Sequence, residues 1–240
     1  MIAIALICGY ISSLWKIDKQ PCMQPFECVI FDVDGTLTRT HDLIFASFNH
    51  VTKKYLDREY TPAEIIPLFG PPEEGALAQI FPPELVPSAM EDLCDFYERE
   101  HDALAALHPG IRDALTLIRK RNCHTAVFTG KGRRTTLITL RKLGIEQCFD
   151  LVMSGNDVAQ HKPDPDGIRR VLTTFAVAPE RALMVGDTFG DLRASRGAGV
   201  PMAAVLWDSY DRERLSAAKP EYWFETVDQF TAWLDNHLPS

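Results

Sequence analysis

Two rhythms of apolar and polar positions alternate along this chain. Short runs of apolar and β-branched residues recur between stretches of helical spacing, the pattern of a parallel sheet joined by crossover helices. Five runs predict strands: Cys28–Val33, Thr125–Thr129, Leu151–Ser154, Ala182–Val185 and Met202–Leu206. Each is apolar almost throughout, as suits a sheet covered on both faces, and Tyr222–Phe224 predicts a weaker edge strand. Ile168, Val171, Leu172 and Phe175 follow the i, i+3, i+4, i+7 spacing of one buried helix face. Leu137, Leu140 and Leu143 mark another helix, with Gly144 standing where a left-handed C-terminal cap is wanted.

From Thr40 to His108 the rhythm changes, with helical stripes and no buried strand. Phe45, Phe48, Val51 and Tyr55 predict a first helix, and Met90, Leu93, Cys94 and Tyr97 a second. Turns at Pro71–Pro72 and Pro82–Pro83 separate the pieces. The expected organisation is α/β: a Rossmann-like parallel-sheet core from residues 23–39 and 109–240, a small inserted helical domain over 40–108, and an N-terminal extension, 1–22. Met1 to Trp15 is apolar but lacks a basic leader and the length of a membrane-spanning helix. Met23 directly precedes the first strand and is an alternative start, which would make the preceding segment dispensable.

Composition narrows the function. The 240 residues suit one α/β core with one insertion, and 46% hydrophobic with 24% charged residues is ordinary for a globular protein. A net charge of −8 offers no basic stripe for a phosphate backbone, so nucleic acid is not an expected partner, nor is a membrane. The cysteines Cys8, Cys22, Cys28, Cys94, Cys123 and Cys148 form no C-x-x-C pair and no zinc spacing, and read as reduced thiols of a cytoplasmic protein. Cys28 and Cys123 adjoin apolar runs and read as small hydrophobes.

The polar groups of interest follow strand ends, where open parallel sheets bind ligands. Asp32 and Asp34 share one side by the two-residue period, and Gly35 permits a sharp departure; a solvated Asp-Gly turn is the competing reading. Thr129 and Gly130–Lys131–Gly132 offer a hydroxyl, amides and a cation at a helix start, which suits a phosphate, though a plain basic turn has the same composition. Neither a Walker loop nor a dinucleotide fingerprint is present. Lys162 lies in a proline-stiffened loop, where a lysine is ordinarily solvated. Asp187 and Asp191 follow the fourth strand, where a carboxylate can also simply favour a helix N-terminus. Gathered together, four carboxylates would raise one another's pKa unless a cation intervened, and an all-oxygen set suits Mg²⁺.

In order and placement, Asp32-Val33-Asp34-Gly35-Thr36, Thr129, Lys162 and Gly186-Asp187-Thr188-Phe189-Gly190-Asp191 resemble the four motifs of the haloacid dehalogenase superfamily across the whole core. The stretch Arg193–Pro201 and the helical insertion are similar to the phosphoglycolate phosphatase-like branch. The resemblance implies that Asp32 is a nucleophile and that Asp34 protonates the leaving oxygen, then activates water. It implies that Thr129, Gly130 and Lys162 hold phosphate oxygens. Mg²⁺ would be bound by Asp32, the backbone carbonyl of Asp34, Asp187 and, directly or through water, Asp191. Dehalogenases lack the second carboxylate, so Asp34 favours phosphoryl transfer. Where relatives often carry Asn, this chain has Gly130, which makes Lys131 or Arg134 candidate substrate contacts, against their reading as surface helix residues. The turn Phe69–Glu74 would close over the site, against its reading as a plain interhelical turn. The expected activity is a Mg²⁺-dependent phosphatase acting on a small phosphorylated metabolite, such as phosphoglycolate, as a monomer or homodimer. Alternatives are a sugar phosphomutase, an inorganic pyrophosphatase and a noncatalytic binding protein.

Overall fold

A computed structural model of the chain describes residues 24–240; the expectations for the N-terminal extension and a start at Met23 lie outside the described residues. The elements run β1 (Cys28–Phe31), β2 (Thr38–Arg39), α1 (His41–Leu56), α2 (Pro62–Ile65), α3 (Glu73–Leu77), α4 (Val86–Leu104), β3 (Ala106–Leu107), α5 (Ile111–Lys120) and β4 (His124–Phe128). They continue α6 (Arg133–Lys142), β5 (Leu151–Met153), α7 (Asp166–Phe175), β6 (Ala182–Gly186), α8 (Phe189–Ala198), β7 (Met202–Val205), α9 (Arg212–Ala217), β8 (Tyr222–Phe224) and α10 (Val227–Asp235).

Six strands form one parallel sheet in the order β5-β4-β1-β6-β7-β8. All five expected strands and the edge strand are present. Strand β1 stops at Phe31 rather than Val33, because the chain turns there: the N–H groups of Thr36, Leu37 and Thr38 all donate to the Val33 carbonyl. The two-residue period divides the sheet between two cores. Val29, Phe31, Leu183 and Val185 pack with Ile111 and Leu115 of α5 and Phe230 of α10, while Cys28, Ile30 and Met184 pack with Ile168, Val171 and Leu172 of α7. Each such buried aliphatic or aromatic side chain contributes about 1.5–3 kcal/mol. Helix α6 ends as expected, with Gly144 at φ 61° just beyond it.

Helices α1 to α4 build a third core. Leu43, Ile44, Phe48 and Val51 meet Met90, Leu93, Cys94 and Tyr97, and Ile138 of α6 joins the same cluster. The buried face of α1 is rotated from the expected stripe: Leu43 and Ile44 enter it, and Phe45 and Tyr55 are only partly buried. Tyr55 keeps its hydroxyl toward solvent, where it donates to Asp92 Oδ2 at 2.5 Å. The two-residue strand β3, pairing antiparallel with β2, was not expected in the 40–108 interval, being too short to leave a periodic signal. Among the described residues Cys28, Cys94, Cys123 and Cys148 are free thiols, and burial pushes the Cys123 thiol up to about 12, which leaves it inert. No helix among the described residues is long and apolar enough to cross a membrane.

Candidate active site

Register decides which side chains meet. Phe31 lies beside Val127 of β4 and Val185 of β6, so the chains leaving these three strands converge at one sheet edge. The Asp32 N–H donates to the Val185 carbonyl at 2.9 Å and the Thr129 N–H to the Met153 carbonyl at 3.0 Å, fixing both residues at that edge. The turn after β1 passes through Gly35 at φ 78°, and a Cβ there would stand 2.5 Å from Asp187 Oδ2. Both the left-handed backbone and the close approach require glycine. Thr36 Oγ1 then donates to Asp187 Oδ1 at 2.7 Å.

Asp191 serves two purposes. Its Oδ2 accepts from the Thr188 N–H and hydroxyl at 3.0 and 2.6 Å, and its own N–H donates to Thr188 Oγ1 at 3.2 Å, a capping box at the start of α8. The other oxygen, Oδ1, accepts from Lys162 Nζ at 2.5 Å. Lys162 also lies 3.0 Å from Asp32 Oδ1, out of hydrogen-bond alignment, and over the Phe128 ring at 4.9 Å. The loop lysine is therefore not solvated.

Asp32, Asp187 and Asp191 are buried and offer oxygens within 4.8 Å of one another. Burial pushes the Asp32 carboxyl up to about 6 against the pull of Lys162, with Asp191 and Asp34 adding to the rise. Burial, then Asp32 and Asp191, pushes Asp187 well above the usual carboxylate range. For Lys162, burial alone would favour the neutral amine, but Asp191 and Asp32 outweigh it and hold the ammonium above its ordinary value. Asp32 Oδ1 and Asp187 Oδ2 have no hydrogen-bond partner. Three buried carboxylates against one ammonium, with two orphaned oxygens, form a donor set that a hard divalent cation fits.

A second cation lies beside the first. Asp34 Oδ1 accepts from Thr40 Oγ1 at 2.6 Å, and its Oδ2 lies 3.3 Å from Lys131 Nζ. Lys131 is 8% exposed, which overturns its reading as a surface helix residue. Its ammonium sits 3.7 Å from Glu73 Oε1 and 4.5 Å from the Tyr97 ring centroid. Burial would depress it, but Asp34, Tyr97 and Glu73 hold it well above the usual lysine range. Arg134, by contrast, pairs with Glu91 at the surface.

The turn Phe69–Glu74 is more than an interhelical connection. Glu73 accepts from the Gly132 N–H at 2.7 Å and from Thr135 Oγ1 at 2.5 Å, joining α3 to the start of α6. A Cβ at Gly130 would lie 3.2 Å from the Gly70 carbonyl, so glycine at this position lets the turn approach. The expected cradle of free amides is narrower than its sequence implies, because the Gly132 and Arg133 N–H groups are taken by Glu73 and by Asn156 Oδ1 at 2.7 Å. Thr129 Oγ1 accepts from the Lys131 N–H at 3.3 Å, which leaves its own proton to donate.

These groups face a cavity of about 570 Å³ lined by Asp32, Asp34, Thr129, Gly130, Lys131 and Lys162 on the sheet side. Asp187 and Asp191 do not line it. Thr36, Thr40, Glu73 and Tyr210 had no role assigned from sequence. Thr36 and Thr40 stand close after the Asp32–Asp34 pair, a usable signal, whereas Tyr210 reaches the cavity from a loop after β7 that carries none.

The family model for haloacid dehalogenase-like hydrolases matches residues 29–205. The chain belongs to that family. Among the relatives of this hydrolase, the pyrophosphatase PpaX of Anoxybacillus flavithermus is 31% identical over 206 residues, 86% of this chain and 95% of that one. In structure the hydrolase is similar to a predicted phosphoglycolate phosphatase of Haemophilus somnus, with a TM-score of 0.78, 19% identity, and coverage of 88% and 99%. It is also similar to CbbY of Rhodobacter sphaeroides in complex with phosphate, with a TM-score of 0.75, 23% identity, and coverage of 85% and 96%. At those identities the two structures establish the shared fold, and the Rossmann-like α/β class expected from sequence holds.

Proposed function

We propose that this hydrolase is a Mg²⁺-dependent phosphatase that releases phosphate from a small phosphorylated metabolite by way of an aspartyl-phosphate on Asp32. One observation carries the reading: Asp32 and Asp34 face the same cavity with Thr129 and Lys162 beside them, while Asp32 Oδ1 and Asp187 Oδ2 lack hydrogen-bond partners. Asp32, Asp187 and Asp191, with the backbone carbonyl of Asp34, would hold Mg²⁺. Bound there, the ion would offset negative charge on the phosphoryl oxygens and permit both buried carboxylates to stay ionised.

The chain's own groups divide the reaction into two steps. In the first, an Asp32 oxygen bonds to phosphorus as the bond to the leaving oxygen breaks, and Asp34 gives that oxygen its proton. In the second, water attacks the phosphorus, Asp34 takes a proton back, and Asp32 leaves as a carboxylate. Lys162 and the free Thr129 proton oppose the charge on the transferring group in both steps. Thr40 and Lys131 keep the Asp34 carboxyl turned toward the cavity. Spontaneous monoester hydrolysis needs up to ~10²¹-fold acceleration, roughly 28 kcal/mol, and positioning supplies about a third of it; the paired lysine and the covalent step address the rest.

The inserted helices over 40–108 act as a cap in this reading, closing the cavity from above. The activity in the name of the Anoxybacillus relative supports a second reading, hydrolysis of a phosphoanhydride. The experiment is phosphate release with Mg²⁺. Asp32→Asn is expected to lower turnover at least ~10³-fold while keeping the fold, because it removes the nucleophile. Full activity in that variant would exclude Asp32, and isomerised sugar phosphate without free phosphate would point to a mutase.

A further inference from the structure

We infer that the substrate's leaving group is an organic alcohol with an apolar, preferably planar, portion. The inference rests on the phosphatase reading and adds the class of alcohol released.

Size comes first. A cavity of about 570 Å³ falls in the ~300–1,000 Å³ range that encloses drug-sized ligands. A phosphoryl group and a hydrated ion, at about 30 Å³ per water-sized unit, would occupy only part of it. The walls come next. On the side of the inserted helices the lining includes Ile44 and Phe48 of α1, Ala76 of α3, and Ile66 and Phe69 between α2 and α3.

Four rings form a closed circuit, His41 to Phe45 at 6.2 Å, Phe45 to Phe69 at 6.5 Å, Phe69 to Tyr210 at 6.3 Å and Tyr210 back to His41 at 5.7 Å, and three of them, His41, Phe69 and Tyr210, line the cavity. Tyr210 is 46% exposed, one of three large apolar-bodied side chains so exposed among the described residues, and it lines this cavity. A ring face left open beside a reaction centre is contact area available to a flat ligand.

On the Asp34 side, where the leaving oxygen is protonated, the cation is Lys131, already shared by Asp34 and Glu73. Arg214 lies over the Phe189 ring at 3.9 Å and lines the cavity together with Asp211. Charge is thus confined to the carboxylate side and to Arg214, and the wall of Ile44, Phe48, Ile66 and Phe69 is left to an uncharged part of the leaving group.

The test is phosphate release, with saturating Mg²⁺, from ethyl phosphate, 2-phenylethyl phosphate, phosphoglycolate and pyrophosphate. The first two have alcohols of similar acidity, so their ratio reads contact rather than leaving-group chemistry. The expected kcat/KM for 2-phenylethyl phosphate exceeds that of each other compound by at least ~10-fold, the low end of what added apolar contact gives. Phe69→Ala, and Tyr210→Ala as a more exposed variant whose folding is checked by its melt, are expected to bring the phenylethyl-to-ethyl ratio toward one. Asp32-dependent release with a ratio near one, a ratio untouched by both variants, or faster turnover of pyrophosphate would overturn the inference and leave the phosphatase reading standing. No Asp32-dependent release from any of the four would overturn both.

Discussion

Gly35 shows how much of the site hangs on one residue. Its positive φ costs an L-residue about 1–2 kcal/mol, and any side chain must also displace the Asp187 carboxylate. The two demands separate experimentally. Asn tolerates the left-handed region better than Ala, so if backbone strain alone mattered, Gly35→Asn would be the milder change. Because the close approach to Asp187 matters too, both variants are expected to weaken Mg²⁺ binding by at least ~10-fold, read by calorimetry, with Asn no better than Ala. Wild-type affinity in Gly35→Asn would show that the approach to Asp187 is relieved at no cost. Sequence made Asp32, Asp34, Thr129, Lys162, Asp187 and Asp191 legible, since each follows a strand end and strand ends share an edge. Lys131 was legible only as a candidate. Its burial depends on Glu73 and Tyr97, carried by helices whose packing no local spacing encodes.

At the scale of elements, α3 and α6 are joined by a borrowed cap. Helix α6 begins at Gly132 without a side-chain cap of its own, and the Glu73 carboxylate, arriving from α3, accepts the amide there and faces the positive end of the helix. Glu73 also neutralises Lys131. Removing it therefore leaves the Gly132 amide without a partner and takes one partner each from Thr135 and Lys131 at the junction between inserted helices and core. Glu73→Ala is expected to cost about 2–3 kcal/mol locally, and to raise amide exchange in residues 66–78 and 130–136 by roughly 30–150-fold over the sheet strands. Uniform acceleration across the whole chain would instead mean that the residue supports global stability and not this junction. The same interval marks where periodicity misled. Of the expected stripe on α1, Phe48 and Val51 are buried, but Phe45 turns to the ring circuit and Tyr55 to Asp92, while Leu43 and Ile44 take buried positions. Aromatic residues with a polar edge or a partner ring do not have to face a core.

For the whole molecule, the fold buries charge it does not neutralise unaided, and stability should record this. Asp32 has an ordinary value of 3.8 and is pushed up to about 6 in the folded protein, and Asp187 moves in the same direction. In the pH window between those values the folded chain binds more protons than the unfolded chain. Stability from these groups is thus fully present below about 4 and lost as pH rises through about 6. The proposed Mg²⁺ would reverse the sign, because it would bind the ionised carboxylates and hold their folded-state pKa down. The difference in Tm between Mg²⁺ and EDTA is then a function of pH. It should be small near pH 4 and grow toward pH 7.5, reaching about 5–10 °C when the ion is present at ~100 times its Kd, from ~2.7 kcal/mol of linkage and ~2–4 °C per kcal/mol for a chain of this size. Asp187→Asn removes one of the two orphaned oxygens and should abolish most of the difference at every pH. A difference that is the same at pH 4.5 and pH 7.5, or that survives intact in Asp187→Asn, would place the ion somewhere other than on these buried carboxylates.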